Sequence, residues 1–193
     1  MEPLTRNQLM SLEQYAEQRQ SFRQRVIEHK KHRRVALGPH LNLYFEDRLT
    51  IQYQVQEMLR IERIFEADGI EDELQAYNPL IPDGNNLKCT AMLEYQDVEE
   101  RRTQLAALKG IENLVWMQVE GTNRVYAIAN EDLERSNEEK TSAVHFMRFE
   151  FTPEMIAALQ NGAALLAGTN HDMYRHETIV PEATRTALLG DFG

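Results

Sequence analysis

The sequence has little cysteine and no long apolar run. Its 193 residues include one cysteine, Cys89, which excludes an intramolecular disulfide and a structural zinc site made of several thiolates. No apolar stretch approaches the roughly 20 residues that a membrane-spanning helix needs. The first residues also lack the basic and then apolar pattern of a signal peptide. We therefore expect a soluble, cytoplasmic protein with no membrane partner.

The sequence also lacks the short motifs that mark common enzyme classes. It has no phosphate-binding loop, no Gly-x-Ser-x-Gly elbow, no glycine-rich dinucleotide turn and no Cys-x-x-Cys pair. The formal net charge of -10 gives no global attraction for nucleic acid, so a nucleic-acid partner is not favoured. The usual nucleotide-binding and hydrolase functions lose their main support, and the sequence alone does not establish whether the chain is an enzyme.

The N-terminal part has the pattern of helices with one short strand. Ser11 and Gln14 have the form of a capping box, and apolar residues then recur at helical spacing, which predicts a helix to about Arg34. Apolar and polar residues alternate over 41–45, which predicts a strand. A second helix is expected over 48–67, where the apolar residues return to helical spacing.

The C-terminal part reads as one unit used twice. Residues 87–95 and 143–151 both alternate apolar and polar side chains, and each run precedes a helix-length stretch. Two further strand-like runs follow each helix and are expected to turn at Gly121 and at Gly168. Chance could also produce this order, because strand-helix-strand-strand is common.

These patterns together predict an α+β fold. Turn-forming residues around 77–86 mark the best candidate linker. We expect residues 1–78 to form a helical segment with one short strand. We expect residues 79–193 to form an antiparallel or mixed sheet built from two strand-helix-strand-strand units. One compact domain overall is the alternative to this division.

A two-fold axis between the repeats would bring equivalent residues near each other. Superposing the first strand of each repeat places Cys89 over His145, and both lie on the apolar face of their strand. A thiol facing an imidazole could bind a soft metal or form an activated thiolate. The alternative is that Cys89 is a small core residue and His145 a hydrogen-bonded core histidine, which is the commoner arrangement in proteins.

Two other groups of side chains could carry chemistry. His171 and His176 lie beside acidic residues, but a spacing of five fits neither a helical metal motif nor one face of a strand, so solvated residues at a hairpin turn are the alternative. Glu57, Arg60 and Glu62 on the second helix could position a substrate or transfer a proton. The alternative for these three is a solvated helix face with ion pairs.

Positive charge is concentrated near the end of the first predicted helix, in an otherwise acidic chain. The run includes Lys30, Lys31, Arg33 and Arg34. These residues could dock an acidic protein partner or the acidic part of a second copy of the chain. The alternative is a solvated helix end whose cations suit the negative end of the helix dipole.

Four blocks of the sequence carry a family resemblance: RRVALGP (33–39), YFEDR (44–48), QVQEMLRIER (54–63) and KTSAVHF (140–146). They resemble a bacterial family catalogued as domain of unknown function 3501, and the resemblance covers nearly the whole chain. Members of that family tend to be encoded near rubrerythrin-like and iron-sulfur proteins, which implies a redox or peroxide-stress setting. Asp47 departs from the family pattern, which has asparagine at this position.

Two main hypotheses about function follow from these observations. In the first, the chain is a cytoplasmic accessory or binding protein of a redox pathway. It would contact a protein partner through the basic run and the polar face of the second helix. In the second, it is a metal-dependent or thiol-dependent enzyme that holds a single transition metal between the repeats, with ligands or catalytic groups among Cys89, His145, His171, His176, Glu57 and Glu62. A purely structural oligomer subunit is a third class.

Overall fold

The structure is a computed structural model that describes residues 1–131, 135 and 140–193. The helices within these residues are α1 (Leu12–Lys30), α2 (Arg48–Glu62), α3 (Ala67–Tyr77), α4 (Val98–Ala107), α5 (Pro153–Gln160) and α6 (Glu182–Leu189). The strands are β1 (Arg34–Leu37), β2 (Leu41–Phe45), β3 (Asn86–Leu93), β4 (Val115–Val119), β5 (Val125–Tyr126), β6 (Ile128–Ala129), β7 (Val144–Glu150), β8 (Leu165–His171) and β9 (Tyr174–Ile179). Over the same residues, no helix has the length and apolar character needed to cross a bilayer.

The strands form two antiparallel sheets. The first has the order β1-β2-β3-β7-β6 and the second has the order β5-β4-β8-β9. Alternate side chains of both sheets enter one shared apolar core, which includes Leu43, Cys89 and Phe149 from the first sheet and Met117 and Ala167 from the second. Burial of this shared face is the main favourable contribution to folding. The predicted α+β class is confirmed.

The repeated order of elements predicted for the C-terminal part is present. The units β3-α4-β4-β5 and β7-α5-β8-β9 follow each other along the chain. Their first strands pair with each other, and so do β4 and β8. In the β3–β7 register, Thr90 pairs with Phe146, and on either side of them Cys89 pairs with Met147 and Ala91 pairs with His145. A two-fold axis relating the two first strands would produce this register.

The predicted end of the first helix is wrong. Helix α1 ends at Lys30, and residues up to Arg34 do not continue it. Strand β1 begins there and returns through Gly38 into β2, so the N-terminal part has two strands where one was predicted. The positive φ of 69° at Gly38 permits this tight reversal. Strand β2 then pairs with β3, which places the hairpin in the first sheet of the C-terminal units.

The second helix is shorter than predicted, and a third follows it. Arg63 takes a left-handed conformation with φ of 57° and ends α2. Helix α3 then begins at Ala67 and includes Gly69. Its Leu74 is buried against Leu59 of α2 and the other apolar residues of that cluster. The contact between α2 and α3 cannot be seen in the sequence of either helix alone. It explains why two helices form where one was predicted.

The turn predicted at Gly168 is also wrong. Gly168 lies inside β8, opposite Trp116 of β4, whereas β8 and β9 are joined at Asp172-Met173. The indole of Trp116 lies directly on the Gly168 backbone: a Cβ atom on Gly168 would lie 2.3 Å from Trp116 Cζ2. The guanidinium of Arg124 stacks on the indole, with its Cζ 3.8 Å from the ring centroid. Glycine is therefore required here by close packing and not by a turn.

Candidate functional site

Cys89 and His145 lie on neighbouring strands and on the same face of the first sheet. The β3–β7 register makes them diagonal neighbours, and both side chains are buried. Burial raises the pKa of the Cys89 thiol far above its usual range, and the nearby charge of Glu46 adds to the shift. The thiolate is the form that attacks electrophiles and binds metals. At neutral pH Cys89 is therefore a protonated core residue.

The imidazole of His145 has hydrogen-bond partners at both nitrogens. Nε2 lies 3.0 Å from the Ser142 carbonyl oxygen, which can only accept, and 2.9 Å from the Thr141 hydroxyl. Nδ1 is then the acceptor for the Asn130 side-chain amide at 3.0 Å. Burial lowers the pKa of His145, and the Glu112 carboxylate at 3.9 Å opposes this shift. The ring is therefore held neutral with both nitrogens engaged, which favours the structural interpretation.

His171 is the last residue of β8, next to the β8–β9 hairpin turn, and His176 lies within β9. They are diagonal neighbours on β8 and β9. His171 Nε2 lies 3.2 Å from the Lys109 carbonyl oxygen, and its Nδ1 accepts the Met173 amide at 3.3 Å. The His176 ring packs over the backbone of Gly38, where a Cβ would lie 2.6 Å from the ring. His171 therefore contacts the segment that follows α4, and His176 contacts the turn between β1 and β2.

The metal candidates do not form a metal site in the described part of the chain. No group of three or more His, Cys, Asp or Glu side chains is placed to hold an ion within residues 1–131, 135 and 140–193. A histidine ligand needs a free nitrogen lone pair. The lone pairs of His145 and His171 are both used by protein donors.

Glu57 joins helix α2 to helix α1. Its Oε1 accepts hydrogen bonds from the Tyr15 hydroxyl at 2.6 Å and from Arg19 Nε at 2.7 Å, and its Oε2 accepts from Arg19 Nη2 at 2.8 Å. The Arg19 guanidinium lowers the pKa of Glu57 from 4.5 to about 2. A carboxylate ionised at all physiological pH values is a poor proton donor or acceptor. Arg60 Nη2 lies 3.5 Å from the same carboxylate, and Glu62 is exposed.

The rest of the polar face of α2 also contacts the N-terminal segment. The Gln56 side chain accepts from the Met10 amide at 2.6 Å and donates to the Met10 carbonyl at 3.3 Å. The Gln52 amide donates to the Gln8 carbonyl at 3.0 Å. These side chains therefore hold residues of the same chain, and this part of the predicted partner surface is an internal interface.

The basic run divides into surface residues and one buried residue. Lys31 is exposed and pairs with Glu28, Lys30 is half-buried, and the exposed Arg34 donates to Asn42. Arg33 is only 2% exposed, so its prediction as a docking residue is wrong. The side chain turns inward because α1 has already ended and the chain alternates as it enters β1.

Arg33 is the centre of a buried charged network at the junction of α1, α2 and the chain end. Its Nη2 lies 2.5 Å from Asp191 Oδ2 and its Nη1 lies 3.5 Å from Asp47 Oδ2. The guanidinium also donates to the carbonyls of Phe45 and Glu46, both at 3.1 Å. His29 Nε2 lies 2.5 Å from the same Asp47 oxygen. Asp47 also caps α2, which asparagine could do equally well without the charge.

Asp191 is the exceptional member of this network. It is 1% exposed, and its Oδ1 has no hydrogen-bond partner. Burial raises the pKa of Asp191 from 3.8 to about 6, although Arg33 acts in the opposite direction. The folded chain therefore holds the Asp191 proton more tightly than the unfolded chain does.

This difference predicts a pH dependence of stability. The contribution of Asp191 is fully present below pH 3.8 and is lost as the pH rises through about 6. We expect the variant Asp191→Asn to lack this decline, as measured by urea unfolding at several pH values. Asp47 does not interfere, because its pKa is lowered from 3.8 and it titrates below this range. Equal pH slopes in the two proteins would contradict the prediction.

A cavity lies on the other face of the first sheet, away from the shared core. It measures about 740 Å³. Its floor is β3, β6 and β7, and its walls are α2, α3 and the segment after α3. The lining residues are Gln54, Met58, Glu73, Gln75, Ala76, Tyr77, Pro79, Leu80, Asp83, Lys88, Ile128, Glu131, Phe146, Met147 and Arg148. This volume is in the range typical of small-molecule sites.

The cavity lining combines apolar side chains with a few charged and polar ones. Met58, Ala76, Leu80, Ile128 and Phe146 are the main apolar residues. On the sheet, Lys88 donates to the carbonyls of Pro79 and Ile81, both at 2.9 Å, and Arg148 pairs with Glu131 and Glu150. On the wall formed by α3, Glu73 and Tyr77 lie one turn apart. Burial raises the pKa of both groups.

None of the cavity residues was identified as a site from the sequence. One signal was available: Phe146 is an apolar residue on the face of β7 that the alternation of the strand assigns to solvent. An apolar residue there requires a cover. The Arg135 guanidinium covers its ring, and α2 and α3 form the walls of the cavity around it, although α3 was not predicted.

Comparison with known proteins agrees with the family resemblance. Residues 3–192 match a family model described as "Protein of unknown function (DUF3501)". A crystal structure of a novel protein of unknown function from Burkholderia pseudomallei is 50% identical, with a TM-score of 0.94 and 100% of each chain covered. No curated protein matches. The chain therefore belongs to the DUF3501 family.

Proposed function

We propose that this chain is a binding protein that holds a small, largely apolar molecule in the cavity between α2, α3 and the first sheet. The observation that carries the proposal is the cavity itself. It combines a volume of about 740 Å³ with a lining of apolar side chains and a few polar ones. Such a combination is the usual form of a ligand site, in which apolar contacts supply affinity and a few polar groups fix orientation.

The proposal develops the first of the two functional hypotheses. An accessory role in a cytoplasmic redox or peroxide-stress pathway, as the family resemblance implies, fits a protein that carries or senses a small molecule. The redox chemistry would then belong to the ligand or to a partner, because the Cys89 thiol is buried and protonated. The metal-dependent or thiol-dependent enzyme has less support, since both nitrogens of His145 and of His171 have protein partners.

The proposal is tested by filling the cavity. Ala76 is exposed at the cavity wall on α3, so Ala76→Trp should place an indole in the cavity with little strain. We expect the neutral apolar dye N-phenyl-1-naphthylamine to bind the wild type saturably, with a rise in fluorescence. Ala76→Trp should weaken this binding by about tenfold, the effect of losing roughly 1.4 kcal/mol of apolar contact.

The matched control is Ala157→Trp, which adds the same side chain to an exposed position of α5, away from the cavity lining. It should bind the dye as the wild type does. Both variants should unfold at urea concentrations close to that of the wild type. Dye binding that does not saturate, or that Ala76→Trp leaves unchanged, would overturn the proposal.

A further inference from the structure

We infer that the cavity selects organic cations: molecules with an apolar body and a protonated amine, the amine lying beside Glu73. This inference rests on the proposed function and adds the chemical class of the ligand. Its basis is a contrast among the charged groups of the cavity lining. Lys88 and Arg148 are paired within the chain, whereas Glu73 has no ion pair among the described residues.

The two cations of the cavity lining are both paired with protein acceptors. The Lys88 ammonium has three acceptors: the carbonyls of Pro79 and Ile81, both at 2.9 Å, and Asp83 Oδ2 at 3.5 Å. Arg148 donates to Glu131 from Nε at 2.9 Å and from Nη2 at 2.7 Å, and its Nη1 contacts Glu150. An anionic ligand would have to compete with these acceptors, so the lining favours a carboxylate or phosphate less than it favours a cation.

Glu73 is different from the other carboxylates of the lining. Asp83 accepts from Asn86 and Lys88, and Glu131 pairs with Arg148. In the described part of the chain, the Glu73 carboxylate makes no hydrogen bond or ion pair, and it is half-buried. Its nearest charges are Glu62 and Asp72, both negative. A positive group would therefore be stabilised here by an unpaired carboxylate and by the field of its neighbours.

The aromatic side chain of Tyr77 suits the same ligand. Tyr77 lies one helical turn after Glu73 and also lines the cavity. Ammonium groups are attracted to aromatic faces, and apolar bodies pack against them. The Phe146 ring on the sheet floor already carries the Arg135 guanidinium, whose Cζ lies 4.5 Å from the ring centroid, so we assign the contact with the amine to Tyr77. The α3 wall thus combines a carboxylate with an aromatic surface.

The test compares three probes that share one apolar body. Isothermal titration would measure the binding of 4-phenylbutylamine, 4-phenylbutanol and 4-phenylbutyrate to the full chain. We expect the amine to bind about fivefold tighter than the alcohol and the carboxylate to bind most weakly, which is the scale of one half-exposed ion pair. In Glu73→Gln the advantage of the amine over the alcohol should disappear, while the affinity for the alcohol stays the same.

The matched control is Glu71→Gln, which removes the same charge from an exposed position of α3 outside the cavity lining. It should retain the preference for the amine. Equal or tighter binding of the carboxylate, or an amine preference that survives Glu73→Gln, would overturn the inference. If the dye binds the cavity but no probe shows a charge preference, the inference fails and the proposed function stands. If neither the dye nor the probes bind, both fail.

Discussion

Replacing Arg33 with methionine is expected to lower the free energy of unfolding by about 3–5 kcal/mol, the usual loss when one partner of a buried ion pair is removed. Methionine has a similar length, so the loss reports charge and hydrogen bonds more than volume. Asp47 and Asp191 would remain buried with no guanidinium between them. The carbonyls of Phe45 and Glu46 would also lose a donor. Urea unfolding at neutral pH measures the difference.

The pH dependence of this loss identifies its electrostatic part. Without Arg33, the pKa of Asp191 should rise further, because the guanidinium no longer opposes the effect of burial. Folding then requires a proton on Asp191 at neutral pH, so the loss should be larger at about pH 8 than at about pH 5. The double variant Arg33→Met/Asp191→Asn should recover about 1–3 kcal/mol relative to additive single losses.

The control for Arg33 is Arg23→Met, at an exposed position of α1 where the described residues provide no ion pair. It should change the stability by about 0.5 kcal/mol or less, as surface substitutions usually do. If Arg33→Met lowers the free energy of unfolding as little as Arg23→Met does, the buried network does not stabilise the fold, and the prediction is contradicted.

Adding one methyl group at Gly168 is expected to be the second largest loss, about 3 kcal/mol, at the upper end of the cost of overpacking. The Cβ of Gly168→Ala would lie 2.3 Å from Trp116 Cζ2 and 2.7 Å from the His176 carbonyl oxygen. The backbone oxygen belongs to the paired strand β9 and cannot move alone. The indole would therefore have to move away from Gly168 and from its contact with Arg124.

Trp116 is the single tryptophan of the chain, so its fluorescence reports this displacement directly. We expect a red-shifted emission in Gly168→Ala together with the loss of stability, because an indole that leaves a buried site meets water. Gly190→Ala is the matched control: a Cβ there would be 3.4 Å from its nearest neighbour, the Ala187 carbonyl, and the φ of -67° suits alanine. A Gly168→Ala protein with unchanged emission and stability would contradict the packing described.

The elements that were predicted well are those whose pattern is local. The alternation of β3 and β7 appears in the sequence because one face of each strand is buried in the shared core. The capping box of Ser11 begins α1, as the sequence indicates. Strand β1 was missed because its four residues follow a helical pattern without a break, and only the pairing with β2 gives them a reason to extend.

The candidate site was the part least accessible from the sequence. Glu73 and Tyr77 lie one turn apart on α3, but Phe146 is about 70 residues away along the chain, and no motif joins it to them. They become one site only because α3 folds back on α2 and covers the outer face of β7. The histidines and the cysteine were chosen as residue types with chemistry. Hydrogen bonds at both nitrogens of His145 and of His171, and the burial of Cys89, favour structural roles for these three.

The sequence by itself determined the α+β class, the order of the two repeated units and the faces that enter the core, because these follow from side-chain periodicity along short segments. The tertiary structure alone decided that Arg33 is buried, that Gly168 is a packing position and that a cavity lies between α2, α3 and the first sheet. Each of these properties depends on whether a side chain from a distant part of the sequence occupies the space beside the residue. No local pattern carries that information.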